Sequence, residues 1–203
     1  MANRKILHLI LFILLVFSAS RSNGKNIVFT NQSNKHDSLE LVNFAKSVLK
    51  TIKSSNFPAF ALYIHPKLGI RFSPYAYTYI KTDLKFSRKK FQAAVKSKQE
   101  ISWGEEDPTA DAIKLTIKGY FNKYVYDVDY LKLNDIGVNK FIGGGNSLNN
   151  LKEVYKNFDF IEFHCKGIEK KYEGMDWRSV RLIVSKYKGK LYLIGVVHDE
   201  WTI

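Results

Sequence analysis

The stretch that most constrains this chain lies near its C-terminus. Residues 178–187 and 190–199 are both rich in Val, Ile, Leu and Tyr, and only Lys188 and Gly189 separate them. Two strand-forming runs joined by a two-residue loop containing glycine predict a tight β-hairpin. With that loop Tyr187 faces Lys190, and the pairing runs outward from there. Val184 is expected opposite Leu193, Leu182 opposite Gly195, Val180 opposite Val197, and Arg178 opposite Asp199. This face reads as core with one opposite-charge pair at its end. The other face carries Ser185 with Tyr192, Ile183 with Ile194, Arg181 with Val196, and Ser179 with His198. Arg181 then projects among apolar residues, where an unpaired charge is costly. Either this face is open to solvent, or it lines a cavity with an acidic or anionic partner. A bulged loop would shift the register by one and dissolve the pairing.

Helical signals dominate the first half of the chain. Asp37 caps a helix in which Leu39, Val42, Phe44, Ala45, Val48, Leu49 and Ile52 recur at helical spacing. Ser54, Ser55 and Asn56 break it, and Pro58 starts a second short helix that ends before Pro66. A short strand over 68–72 and a helix capped by Ser87 follow. Residues 103–111 are acidic and loop-like, and a strand through Ile113 and Leu115 leads into a helix over 116–124. Beyond that come short segments: residues 130–138, a turn at Gly143, Gly144 and Gly145, a helix over 147–155, and a strand over 158–165. Helices first and paired strands last indicate an α+β fold, with N-terminal helices packed on a curved antiparallel sheet.

The N-terminus adds a compartment. Arg4 and Lys5 precede a nearly unbroken apolar run over residues 6–17, and the small residues Ser18, Ala19 and Ser20 follow it. That is the three-part pattern of a secretory signal peptide. The run is short of the ~20 residues of a membrane span, so cleavage is the expectation and a retained anchor the alternative. Residues 21–36 read as a flexible lead-in and residues 37–203 as a single α+β domain. The chain carries 32 Lys+Arg against 19 Asp+Glu, a formal net charge of +13. Its basic residues are dispersed and mostly lysine, which suits a soluble surface or loose association with an anionic envelope better than nucleic-acid recognition. The single cysteine, Cys165, excludes a disulfide framework and reads as a buried thiol, with His164 on the opposite face of its strand.

The strings RFSPYAY (residues 71–77), YVYDVDY (124–130), GGGNSLNNL (143–151), GMDWRSVRLIV (174–184) and GVVHDEWTI (195–203) resemble those of uncharacterised exported bacterial proteins. The resemblance runs from about Phe57 to the end of the chain and implies a periplasmic or secreted location. It implies no activity. In outline, helices followed by a curved sheet are similar to the cone-shaped NTF2-like fold, which hosts both enzymes and binding modules.

Three functional readings follow. The first is a non-catalytic module that binds a small molecule or a protein partner in the cup between helices and sheet. The second is a small-molecule hydrolase or isomerase with His198 as general base, Arg181 as anion clamp and Glu162 orienting the imidazole. The third is an envelope-associated basic interaction protein. Candidate ligand-binding residues are Arg181, His198, Tyr192, Ser179 and Trp177. Trp103, Trp177 and Trp201 with Tyr75, Tyr77 and Tyr79 are the aromatics that can line a groove, though core packing is the commoner use of such residues. The glycine run at 143–145 can present backbone amides to an anion but reads first as a turn, with Asn146 or Ser147 capping the next helix. Glu105, Glu106, Asp107 and Asp111 lack an EF-hand spacing and read as a solvated loop. No metal or cofactor is expected, and a homodimer is compatible with these features.

Overall fold

The computed structural model describes residues 27–29, 35–107 and 109–202. The expected signal segment, residues 1–20, lies outside them, as does most of the expected lead-in. Within that lead-in, however, the triplet Ile27–Phe29 forms a strand, β1. Its β-branched and aromatic residues favour extended backbone, and pairing with an exposed sheet edge satisfies it.

Helices α1 (Lys35–Lys53) and α2 (Phe57–Tyr63) follow. Of the expected α1 stripe, Val42, Ala45, Val48, Leu49 and Ile52 are buried and Phe44 partly so, whereas Leu39 is exposed and Leu41 takes the buried position instead. Asn56 caps α2 by accepting from the Ala59 amide at 3.1 Å, and Pro58 sits in its first turn. The chain continues through β2 (Ile70–Ser73), β3 (Lys85–Phe86), the Ser87-capped α3 (Arg88–Ser97), β4 (Ile101–Glu105), β5 (Ala112–Leu115) and the Thr116-capped α4 (Ile117–Tyr124). It ends with β6 (Asp135–Val138), a single-turn α5 (Leu151–Val154), β7 (Asp159–Cys165), β8 (Arg178–Tyr187) and β9 (Lys190–Glu200).

Seven strands form one sheet in the order β1-β6-β7-β8-β9-β2-β3. The fold is α+β, but the sheet is mixed. Strands β6 to β9 pair antiparallel with one another, whereas β1 joins β6 and β2 joins β9 in parallel. The antiparallel direction of β8 and β9 is imposed by their two-residue loop; β2 reaches β9 from a distant part of the chain, so no hairpin dictates its direction. Of the segment over 103–111 expected as loop, residues 103–105 instead complete β4, paired with β5, while the described residues from Glu106 to Asp111 form the connection. Trp103 is the reason: it is fully buried, stacks on Tyr120 at 3.8 Å, and donates its indole N–H to the Leu115 carbonyl at 2.8 Å.

One face of the sheet presents Val180, Leu182, Val184, Leu193 and Val196 to the helices. The space between is filled by buried rings. Phe121 lies edge-on to Phe60 at 5.0 Å and to Phe57 at 5.2 Å, and Phe72 and Phe91 close the cluster. The cup expected between helices and sheet is therefore occupied by core. A large buried aromatic contributes about 1.5–3 kcal/mol by leaving water, so this region favours packing over hollow space.

The second face is covered by the chain between β6 and β7. Phe141, Leu151, Val154 and Tyr155 pack on Phe160, Ile183, Ile194 and Val197. The predicted helix over 147–155 shrinks to Leu151–Val154 because its first residues are bonded elsewhere. Asn146 donates to the Thr202 carbonyl at 2.7 Å, and the Ser147 hydroxyl meets that of Thr202 at 2.9 Å. These contacts tie the covering segment to the C-terminus in place of capping a helix.

Candidate functional site

The two-residue loop is present: Lys188 and Gly189 both have positive φ, 49° and 76°, the geometry of a hairpin turn that matches strand twist. Tyr187 pairs with Lys190, Ser185 with Tyr192 and Val184 with Leu193, as predicted. The register then shifts, and Ile183 pairs with Gly195, Leu182 with Val196, Arg181 with Val197, Val180 with His198, Ser179 with Asp199 and Arg178 with Glu200. The bulge lies within the strand at Ile194 and Gly195, not in the loop. A Cβ on Gly195 would stand 2.8 Å from the Tyr155 hydroxyl and 3.1 Å from Ile183, so the close approach that accompanies the bulge requires glycine. Pairings of Leu182, Ile183, Val180, Arg181, Ser179 and Arg178 are each corrected by one residue.

The shift separates the candidate catalytic residues. Arg181 stays on the face covered by residues 139–158, and His198 turns to the helical face. Arg181 is fully buried. Its Nη2 contacts Asp199 at 2.6 Å, its Nε lies 3.3 Å from Glu162, and its guanidinium sits 4.9 Å over the Phe141 ring. The acidic partner foreseen for Arg181 thus exists twice over, as Glu162 and Asp199. Glu162 also accepts from the Ile142 and Gly143 amides at 3.1 and 3.0 Å and from the Ser179 hydroxyl at 2.7 Å. Amides near the glycine run do meet an anion, and that anion is the protein's own carboxylate. Gly143 is required by packing, since a Cβ there would lie 2.5 Å from His164 Nδ1 and 2.7 Å from Ser179 Oγ.

Ser179 and His164 stand 2.9 Å apart. A serine hydroxyl has one proton, and Ser179 gives it to Glu162, so His164 must donate from Nδ1 to Ser179. Burial keeps the His164 imidazole below its ordinary pKa. With that tautomer His164 cannot take the Ser179 proton, and the pair acts as a buried clasp and not as nucleophile and base. Trp177 is buried against His164, with ring centroids 5.8 Å apart, and presses on Gly145. Tyr192 lies at the other end of the hairpin, near Tyr187 and His65. The proposed ligand-binding set Arg181, His198, Tyr192, Ser179 and Trp177 does not converge.

His198 is 1% exposed. Its Nδ1 donates to the Pro74 carbonyl at 3.1 Å, and Nε2 faces Asp127 at 3.4 Å. Asp127 also takes the Tyr130 hydroxyl at 2.8 Å and pairs with Arg178 Nε at 2.8 Å. Burial opposes the charged ring, but the hydrogen bond and charge of Asp127 outweigh it and raise the His198 pKa above the ordinary value. Both nitrogens are engaged, which leaves no lone pair for a substrate proton. The general-base role for His198, the anion-clamp role for Arg181 and the orienting role for Glu162 are corrected on geometry: the sheet separates His198 from Arg181 and Glu162, which are bound to each other, and all three are buried. For Asp127 the sequence signal is the alternation of aromatic and acidic residues in YVYDVDY, which marks no role for it. Arg178, expected opposite Asp199, instead pairs with Glu200 at 2.6 Å.

An open cleft of about 1040 Å³ lies elsewhere, between the loop joining β2 to β3 and the β4–β5 hairpin, with Ser147 and Leu148 at one side. Tyr75, Tyr77 and Tyr79 line one wall, and Glu105, Glu106 and Asp107 the other. Tyr75 spans the walls: its hydroxyl donates to Glu106 at 3.0 Å and accepts from the Asp107 amide at 3.1 Å. Tyr124 donates to the same Glu106 oxygen at 2.9 Å, and Lys123 pairs with its other oxygen. Asn150 braces the tyrosine loop by accepting from the Thr78 amide at 2.8 Å and donating to its carbonyl at 3.1 Å. Of the aromatics named from sequence, the three tyrosines line the cleft, Trp103 and Trp177 are buried, and Trp201 is partly exposed outside it. Among the described residues, no group of three or more His, Cys, Asp or Glu is placed to hold a metal ion. No family model, curated protein or solved structure matches this chain.

Proposed function

We propose that this chain is a non-catalytic ligand-binding module of an exported bacterial type, and that its ligand occupies the cleft between the tyrosine loop and the β4–β5 hairpin. One observation carries this reading: the three tyrosines expected to border a groove lie together along a cleft of about 1040 Å³. The groups suited to proton transfer, by contrast, are sequestered on two sides of the sheet. The cleft's size is at the upper end of small-molecule sites, about 300–1,000 Å³, and its mixture of rings and a few polar groups is what such sites use for affinity and orientation. Its position replaces the cup between helices and sheet, which the aromatic core fills.

Ligand-observed NMR with a chemically diverse set of small molecules tests the reading. Ligands are expected whose saturation transfer from the wild-type chain is lost with Tyr77→Ala and Tyr79→Ala. If every ligand found is indifferent to both substitutions, the cleft is not the binding site. Export is tested separately, by sequencing the N-terminus of the protein recovered from a bacterial envelope fraction, with a new terminus expected near residue 21.

A further inference from the structure

The cleft has a charge signature that narrows its ligand, and the inference rests on the reading just proposed. The chain has 32 Lys+Arg against 19 Asp+Glu, yet among the described residues no Lys, Arg or His lines the cleft. Its charged lining is wholly anionic: Asp83, Glu105, Glu106 and Asp107. Two of these are committed inside the protein. Glu106 is held by Lys123 and two tyrosine hydroxyls, and Asp83 is buried and accepts from Ser73 and the Tyr79 amide. Glu105 and Asp107 are exposed and form no ion pair among the described residues.

The rings point the same way. Tyr77 and Tyr79 are 37% and 58% exposed, and their centroids lie 4.7 Å apart with the planes inclined at 56°. Lysines of this chain lie over Tyr124, Phe141, Tyr172 and Tyr187, and among the described residues none lies over Tyr77 or Tyr79. An aromatic pair lining the same cleft as carboxylates outside any ion pair attracts positive charge through both the ring quadrupole and direct Coulomb interaction.

We infer that the cleft takes an organic cation, a protonated amine or ammonium group seated between the Tyr77 and Tyr79 rings and the Glu105 and Asp107 carboxylates. An anion meets only repulsion there. A neutral sugar gains from ring stacking but gives no reason for the described cationic side chains to be kept from the lining. The chain's net charge of +13 makes the assignment sharply testable, because diffuse electrostatics favours anions over most of the surface and cannot draw in a cation.

Isothermal titration calorimetry on the full chain uses four probes: spermidine, its neutral triacetylated analogue, maltotriose and inorganic phosphate. Spermidine is expected to bind and the acetylated analogue to give no heat. Glu105→Gln with Asp107→Asn weakens spermidine about tenfold, and Tyr79→Ala about fivefold, with unchanged melting temperatures as the fold control. If maltotriose or the acetylated analogue binds in a Tyr79-dependent way and spermidine does not, the cleft is a ligand site and the cation assignment is wrong. Spermidine binding equally to all variants places the amine elsewhere and also overturns the assignment. If no probe gives a signal that Tyr79→Ala alters, the assignment fails, and the diverse-ligand NMR experiment decides whether the cleft reading fails with it.

Discussion

Arg181 and His198 belong to adjacent strands of one hairpin and face opposite sides of the sheet. Arg181 pairs across the strands with Val197, so its side chain lies with those of Val197 and Asp199, while His198 pairs with Val180 and turns toward Tyr124 and Asp127. A single inserted residue at the bulge produces this separation, because side chains alternate with a period of two. Two charge networks result, the first buried and the second partly buried. The first joins Arg181, Glu162 and Asp199, and the second joins His198, Asp127 and Arg178.

Arg181→Met removes the cation from the first network and leaves Glu162 and Asp199 buried without it. Breaking a buried pair by deleting one partner costs about 3–5 kcal/mol, and that loss is expected in urea-denaturation midpoints. A loss below about 1 kcal/mol would show that solvent reaches these carboxylates.

Gly143→Ala is expected to destabilise the fold by about 1–3 kcal/mol, because the added methyl must displace His164 and Ser179. The neighbouring Gly144→Ala is the control: its Cβ meets nothing within 4 Å, so the change should stay within about 0.5 kcal/mol. Equal effects at the two positions in thermal unfolding would contradict the close packing of Gly143.

The second network predicts a pH dependence with a definite sign. His198 has its pKa raised in the folded chain, so the stability it contributes is fully present below the unfolded value of about 6.5 and is lost as pH rises through the folded value. His164 and His65 are shifted down by burial and act in the opposite sense, costing stability as pH falls below about 6.5. The wild-type profile therefore mixes both effects, and comparison with His198→Gln isolates one. The stability gap between wild type and variant should be widest near about pH 6 and narrow toward about pH 9. A gap that does not change with pH would refute the charged pairing with Asp127.

Asn150→Ala removes two hydrogen bonds to the Thr78 backbone. The stability cost is about 1–3 kcal/mol, since the Thr78 groups lose their partner. The tyrosine loop should also loosen, and amide hydrogen exchange across residues 75–80 is expected to accelerate more than in α1. Uniform exchange changes would mean that Asn150 stabilises the whole fold and not this wall of the cleft.

Cys165 is the only thiol and is buried, with its Sγ donating to the Gly167 carbonyl at 3.4 Å. A chromogenic disulfide reagent should label the native chain slowly and the urea-unfolded chain at once. Fast labelling of the folded protein would show that the end of β7 opens readily.

Several elements were legible because their determinants are local. Ser87 caps α3 through an atom three residues away, and most of the α1 stripe follows from spacing. Asn56, read as a helix breaker, and Thr116, read as the first helical residue, are caps, while Asp37, read as a cap, lies inside the first turn of α1. The Lys188 and Gly189 turn likewise needs only its own backbone conformation. The candidate site was less legible. Glycine inside a strand is a signal for a bulge, so Gly195 marked the place where the register changes, but a neighbour determined the outcome: Tyr155 presses against that position from a segment forty residues upstream in sequence. The partners of Arg181 were foreseeable as a need and not as identities, because Glu162 and Asp199 reach it only across β7 and β9.

By itself, the sequence determined the α+β class, the hairpin with its turn, the Ser87 cap, and the requirement that a charge at Arg181 find acid or water. Tertiary structure alone decided which face each hairpin residue joined, that the cup would be filled by Phe57, Phe60, Phe72, Phe91 and Phe121, and that the remaining cleft would open between the tyrosine loop and the β4–β5 hairpin. The physical reason is range. Caps and turns are satisfied by neighbouring backbone, whereas strand register, ring packing and clefts depend on the shapes that distant segments present to one another.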